Sequence, residues 1–74
     1  IDNYTVSSKV KEMFKILAKK PKFIFNKVFS LKEKPKQEVV TAFSGLLELS
    51  RRSKVSTEQE ELFSDIVVSK KRKD

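Results

Sequence analysis

The reactive side chains in this 74-residue chain are serine hydroxyls, lysine amines and carboxylates, because the sequence contains no histidine and no cysteine. A catalytic site needs a nucleophile, a base and a group that orients them, and no such set stands here at a recognisable spacing. The single glycine, Gly45, falls inside a helical pattern, so the sequence offers no glycine-rich loop to cradle a phosphate. We therefore expect a binding domain that is not an enzyme and needs no cofactor.

One acidic group has side chains that could bind a cation: Glu58, Glu60, Glu61 and Asp65. A calcium loop also needs a glycine at its sharp turn and ligands at alternate positions, and this segment has neither. We interpret the group as a solvated acidic turn and predict no metal site.

The net charge of +7 is unevenly distributed. Residues 9–36 contain ten lysines against two glutamates, whereas residues 37–69 contain three cations against six acidic residues. The basic half indicates either a solvated face that keeps a small domain soluble or a weak contact with DNA. Neither a signal-peptide layout nor a membrane-spanning apolar run is present, which predicts a soluble intracellular piece of a longer protein.

Two segments have helical periodicity. Apolar residues recur at three- and four-residue spacing from Val6 to Ala18, which predicts an amphipathic helix over residues 7–20, ended by Pro21. A second helix is predicted over residues 35–52, with Pro35 in its first turn. Its apolar positions cover more than one stripe, so we expect contact with the core on one side and with a partner on the other. The partner side is either the edge with Ala42, Gly45 and Leu49 or an edge bearing Leu47.

Shorter segments complete the predicted architecture. Residues 23–25 predict a strand, and residues 27–29 a helical stub capped by Asn26. Residues 54–59 and 66–68 predict a hairpin whose turn contains Glu60 and Glu61, and residues 70–74 predict a frayed basic tail. This order of elements predicts an α+β winged-helix domain over residues 1–69, with three helices and a small antiparallel sheet.

One ordered series of residues is specific enough to indicate a family. It consists of EVVTAFSGLLEL at 38–49, Val55, Gln59 and FSDI at 63–66. From Glu38 to Val68 the chain resembles the C-terminal domain of the bacterial kleisin family ScpA, segregation and condensation protein A. The chain departs from the family pattern at Ser44, where a larger apolar residue is common, at Gly45, where alanine is common, and around residues 62–66. The segments upstream resemble the less diagnostic first part of the same domain.

This resemblance implies a domain that binds the ATPase head of an SMC subunit and closes a ring for chromosome condensation and segregation. It implies a cytoplasmic protein on the nucleoid, with ATP hydrolysis left to SMC and a ScpB dimer bound by a part of the longer protein absent here. The implied partner-binding residues are Phe43, Leu47, Val55, Gln59, Phe63 and Ile66. Each is alternatively a core residue, although Gln59 has the chemistry to bond a partner's backbone.

The strongest alternative is a DNA-binding winged helix of the transcription-factor kind, because one fold serves many functions. The helix over residues 35–52 would then read the major groove, but Glu48 and the acidic turn would repel phosphate. The lysine-rich half leaves a weak, nonspecific contact with DNA as an additional expectation, with no membrane and no small-molecule substrate.

Overall fold

The computed structural model describes residues 5–61 and 64–71. Those residues form three helices and a three-stranded antiparallel sheet. The elements are α1 (Val6–Lys19), β1 (Lys22–Ile24), α2 (Phe25–Val28), α3 (Lys36–Arg51), β2 (Val55–Glu58) and β3 (Val67–Lys70). This is the α+β, winged-helix-like architecture that the sequence predicts. Within the described ranges, no helix combines the length and the apolar character needed to cross a membrane.

Helix α1 has marked ends and one buried stripe. The Thr5 hydroxyl accepts a hydrogen bond from the Ser8 N–H at 3.1 Å, which satisfies one of the unpaired donors of the first turn. The helix stops before Lys20, whose extended backbone is the conformation favoured before a proline. Its buried residues, Lys9, Met13 and Leu17, are four positions apart and so share the face that packs on α3.

Helix α3 begins just after Pro35, which occupies the N-cap position and not the predicted first turn. Its buried residues are Ala42, Gly45, Leu46 and Leu49. The edge with Ala42, Gly45 and Leu49 therefore faces the core. At Gly45 the two long helices come close together: a Cβ atom there would lie 3.2 Å from Met13 Cε and 3.3 Å from Val10 Cγ2.

The sheet has the order β1-β3-β2, with every neighbouring pair antiparallel. Phe23 pairs with Val68 on one side of β3, and Thr57 pairs with Val68 on the other. The last strand in the chain is therefore the central one. It extends through Lys70, so Lys70 belongs to the sheet and not to the predicted tail, whose residues 72–74 lie outside the described residues.

Two predictions around α2 are wrong. Phe25 begins α2 and does not continue β1, and the residue before the helix, Ile24, makes no side-chain cap. Asn26 is not the cap: its side-chain oxygen accepts a hydrogen bond from the Ile66 N–H at 2.8 Å. The Phe25 N–H in turn donates to the Ile66 carbonyl at 2.8 Å. Residues 25 and 26 therefore hold Ile66, the residue directly before β3, in position. The local sequence pattern does not reveal this contact.

The core fills the space between the helices and the inner face of the sheet. Among the described residues its buried apolar members are Met13, Leu17, Phe23, Phe25, Phe29, Ala42, Leu46, Leu49, Val55 and Val68. The rings of Phe25 and Phe29 pack with their centroids 5.1 Å apart. Helix α2 thus supplies one of the three phenylalanines of this core, Phe25, and its C-cap residue, Phe29, supplies another.

Candidate partner-binding groove

One edge of α3 exposes apolar side chains to solvent. Val40 is 54% exposed, Phe43 40% and Leu47 51%, and their three- and four-residue spacing places them along one stripe. The opposite side of the same helix is buried. A small domain gains no stability from such a stripe, and an exposed apolar stripe is a feature of surfaces that bind partners.

The stripe borders a shallow groove between α3 and the β2–β3 hairpin, which we call the wing groove. Phe43, Leu46, Leu47 and Ser50 line it from α3, and Thr57, Gln59 and Ile66 line it from the hairpin. The wing groove therefore brings together four of the six residues predicted to bind a partner: Phe43, Leu47, Gln59 and Ile66.

The core holds both apolar walls of the wing groove in place. The ring of Phe43 meets that of Phe25 edge-on, with centroids 6.0 Å apart and an angle of 70° between the planes. Ile66 is half-buried and packs against the core, and its backbone N–H is fixed by Asn26. Contacts with the core and with Asn26 thus hold Phe43 and Ile66 in position, which lowers the entropy lost when a partner binds.

Gln59 forms a hydrogen bond within the hairpin itself. Its side-chain N–H donates to the Ser64 carbonyl at 2.7 Å, within the same hairpin. The Ser64 hydroxyl donates to the Glu61 carbonyl at 2.7 Å and accepts from the Glu61 N–H at 3.0 Å. Gln59 therefore shapes the turn that forms one end of the wing groove.

Of the two other predicted residues, Val55 lies elsewhere. Val55 is 3% exposed and belongs to the core, so it is not part of the accessible surface. Phe63 lies outside the described residues. Sequence reasoning missed Val40, Ser50 and Thr57, because the wide apolar face of α3 does not reveal which edge meets the hairpin.

The charged residues at the end of α3 form ion pairs that leave a net charge of +1. The Glu48 carboxylate accepts from Arg52 at 2.7 Å and from Arg51 at 3.2 Å. The hydrogen bond from Arg52 is the main reason that the pKa of Glu48 lies below its ordinary value. These two arginines are therefore already paired, and the open edge of the helix beside them is apolar.

The predicted acidic turn lies apart from the wing groove. Glu58, Glu60 and Asp65 line a separate depression, together with Ser64, Val67 and the cation of Lys22. No group of three His, Cys, Asp or Glu side chains within residues 5–61 and 64–71 is arranged to hold a metal ion.

Comparison with known proteins decides the family. The sequence model of the family described as segregation and condensation protein ScpA matches residues 5–71. The chain belongs to the segregation and condensation protein A family. The match extends upstream of Glu38 to include α1 and β1, so the predicted family is confirmed over more of the chain than the residues that suggested it.

Three relatives illustrate the similarity, and each carries the name segregation and condensation protein A. The protein from Caldanaerobacter subterraneus subsp. tengcongensis is 40% identical over 67 residues, which is 90% of this chain and 27% of the relative. That from Thermoanaerobacter sp. is 39% identical over 67 residues, with the same coverage. That from Lactococcus lactis subsp. cremoris is 36% identical over 70 residues, which is 95% of this chain and 28% of the relative. The chain thus spans little more than a quarter of the length of these relatives.

Proposed function

We propose that this domain is the C-terminal winged-helix domain of a kleisin and that it binds the ATPase head of an SMC subunit through the wing groove. The attachment closes the ring-shaped complex that condenses and segregates the chromosome, in the cytoplasm and on the nucleoid. The domain catalyses no reaction and needs no cofactor, since ATP hydrolysis belongs to SMC. ScpB binds another part of the longer protein.

The observation that carries this proposal is the exposed apolar edge of α3 beside the hairpin. Protein interfaces commonly combine an apolar centre that includes aromatic anchors with a polar rim. Phe43 and Leu47 supply the apolar centre, and Thr57 and Gln59 supply polar groups at its rim. Membership of the segregation and condensation protein A family supports a partner in the SMC complex.

The sheet offers a second means of attachment next to the same groove. Within the described sheet β2 pairs with β3 alone, so its outer edge retains backbone donors and acceptors. Edge strands of this kind recruit a strand from a partner, and the resulting backbone hydrogen bonds add affinity. A strand or loop of the SMC head that lies along β2 would cover this edge and one side of the wing groove together.

The rival function, sequence-specific DNA reading by α3, lacks support from this geometry. A recognition helix presents amide and basic side chains to base edges. Here the open edge presents Val40, Phe43 and Leu47, and the nearby arginines are paired with Glu48.

The direct test is calorimetric titration of the domain into the ATPase head of the SMC protein from the same organism. Leu47→Arg places a charge in the wing groove, and Leu31→Arg is the matched control, because Leu31 is 66% exposed and lies in the loop before α3. We expect Leu47→Arg to weaken binding by about tenfold or more, as the loss of a central interface residue does. Leu31→Arg should bind like the unmodified domain, and binding should persist at high salt.

Circular dichroism of both variants shows whether each is folded. Equal affinity of a folded Leu47→Arg variant and its control would exclude the wing groove as the attachment surface. Failure of the unmodified domain to bind the head would overturn the proposed function itself.

A further inference from the structure

Three segments that are distant in sequence meet at one corner of the domain, away from the wing groove. They are the end of α1, the turn between α3 and β2, and the end of β3. The Lys70 N–H donates to the Pro21 carbonyl at 3.2 Å, and the Lys71 N–H donates to the Lys54 carbonyl at 3.2 Å. These backbone bonds fix the end of β3 between the other two segments.

Each of these segments contributes lysines. Lys54, Lys70 and Lys71 line one depression with Phe14, Leu17, Ala18 and Ser53. Directly after Ala18 come Lys19, the last residue of α1, and Lys20, its C-cap. We call the surface formed by Lys19, Lys20, Lys54, Lys70 and Lys71 the basic corner. All five are exposed, and among the described residues none of them forms a salt bridge. The three segments, residues 19–21, 52–54 and 69–71, contain no acidic residue.

The basic corner is a more specific feature than the lysine-rich half of the sequence. Lys9, which belongs to that half, is 4% exposed and bonded to Glu12 and Glu38, so it adds little to the surface charge. Lys22 lines the acidic depression with Glu58. The basic corner instead combines residues from both halves, which a count along the chain cannot show.

We propose that the basic corner contacts the phosphate backbone of duplex DNA without reading its sequence. Duplex DNA is a rod with one negative charge per about 1.7 Å, so a spread of cations on an open surface suits it. Lysine is a compact charge on a flexible stem and bonds phosphate from many directions, without the planar geometry that arginine needs.

The composition of the basic corner favours phosphate over an acidic protein face. Protein–protein interfaces are depleted in lysine and enriched in arginine and aromatic residues. All five cations that define the corner are lysines. The contact uses none of the residues of the wing groove, so it is compatible with simultaneous attachment to an SMC head and goes beyond that proposed function.

The test compares two triple variants of the chain that lose the same net charge. Lys54→Gln/Lys70→Gln/Lys71→Gln removes the centre of the basic corner, and Lys27→Gln/Lys32→Gln/Lys36→Gln removes three exposed lysines from α2, the following loop and the start of α3. Binding to a short fluorescent duplex is measured by anisotropy over a series of KCl concentrations. Thermal unfolding confirms that each variant is folded.

We expect the corner variant to lose about tenfold or more in affinity at low salt, and its slope of log K against log salt to fall by roughly 2 to 3, as the loss of three phosphate contacts predicts. The control should keep a slope close to that of the unmodified chain. Lys19→Gln/Lys20→Gln, on the α1 side of the corner, should show a smaller loss in the same direction and replaces the triple variant if that does not fold.

Equal losses in the two triple variants would mean that net charge alone governs binding, and would overturn the proposal. So would corner-dependent binding to phosphatidylglycerol vesicles or to polyglutamate without binding to DNA. Titration of the corner variant into the SMC head separates this proposal from the proposed function, because the corner variant should retain its affinity for the head.

Discussion

The ammonium group of Lys9 on α1 lies 2.7 Å from the Oε2 atom of Glu38 in the first turn of α3. The pair is shielded from water, since the side chain of Lys9 is 5% exposed and that of Glu38 is 12% exposed. Lys9 also donates to Glu12 at 3.3 Å and lies 5.6 Å from the ring centroid of Phe29. The pair joins the two long helices, and the burial of each charge depends on the other.

Replacing Lys9 alone should therefore be costly. In Lys9→Met, Glu38 loses this 2.7 Å ion pair, and the cation of Lys34, whose side chain is 34% exposed, lies farther away at 3.7 Å. We expect the free energy of unfolding to fall by about 2 to 4 kcal/mol, because a poorly solvated carboxylate loses a close cationic partner. Urea unfolding followed by circular dichroism measures the change.

The double variant Lys9→Met/Glu38→Gln is the informative control. It should recover a substantial part of the stability lost in Lys9→Met, because no unpaired charge remains in the interior. If the two substitutions instead destabilise additively, the ion pair contributes no coupling between α1 and α3.

The same pair predicts a loss of stability at alkaline pH. Burial alone lowers the pKa of Lys9, but the hydrogen bonds that Lys9 donates to Glu38 and Glu12 and the charges of both carboxylates together raise this pKa above its ordinary value. A raised lysine pKa stabilises the fold fully below the unfolded-state pKa, and this stabilisation is lost as the pH rises through the folded-state pKa. The free energy of unfolding should thus fall above about pH 10.4, the ordinary lysine value.

Chemical denaturation at a series of alkaline pH values checks this expectation, with Lys9→Met as the reference. The variant should show a weaker dependence on pH over the same range. Parallel curves for the two proteins would assign the alkaline loss to other groups.

A large side chain at position 45 should force α1 and α3 apart. Even a Cβ atom there would lie 3.2 Å from Met13 Cε, closer than an ordinary contact. We expect Gly45→Leu to lower the free energy of unfolding by about 2 to 3 kcal/mol, because overpacking outweighs the gain in helix propensity. Ser44→Leu, at the adjacent exposed position, should change it by about 0.5 kcal/mol or less. If thermal unfolding shows the two variants to be equally stable, the close approach of α1 and α3 at Gly45 does not contribute to the free energy of unfolding.

Asn26 should control the local stability of the hairpin. Asn26→Ala removes the acceptor for the Ile66 N–H, and we expect a loss of about 1 to 2 kcal/mol. Hydrogen exchange should show faster exchange at the Ile66 amide, while Asn26→Asp, which keeps an acceptor oxygen, should preserve its protection. Unchanged protection of Ile66 in Asn26→Ala would exclude this hydrogen bond as an anchor of the wing groove.

The parts of the fold that were predictable from sequence are those governed by local periodicity. The spacing of apolar residues predicts both α1 and α3. Pro21 after α1 and Pro35 before α3 then locate the helix ends to within about two residues. The end of β1 was not predictable, because Phe25 favours a strand by type but donates its N–H to Ile66, far along the chain. A contact of that kind is decided by tertiary packing.

The candidate site was predictable in the same partial way. Phe43, Leu47, Gln59 and Ile66 meet in the wing groove, whereas Val55 is apolar like three of them and lies in the core. The difference lies in the position along β2: Val55 begins the strand opposite Lys70, whereas Thr57, two residues further on and therefore on the same face, lines the groove. Residue type alone does not contain this register.

The central position of β3 links folding to the progress of translation. β1 and β2 are synthesised earlier, yet in the described sheet each pairs only with β3. A nascent chain that has not yet released residues 67–70 from the ribosome therefore has no sheet, and the hairpin wall of the wing groove does not yet exist. The surface that we propose for partner binding is thus completed only after β3 has left the ribosome.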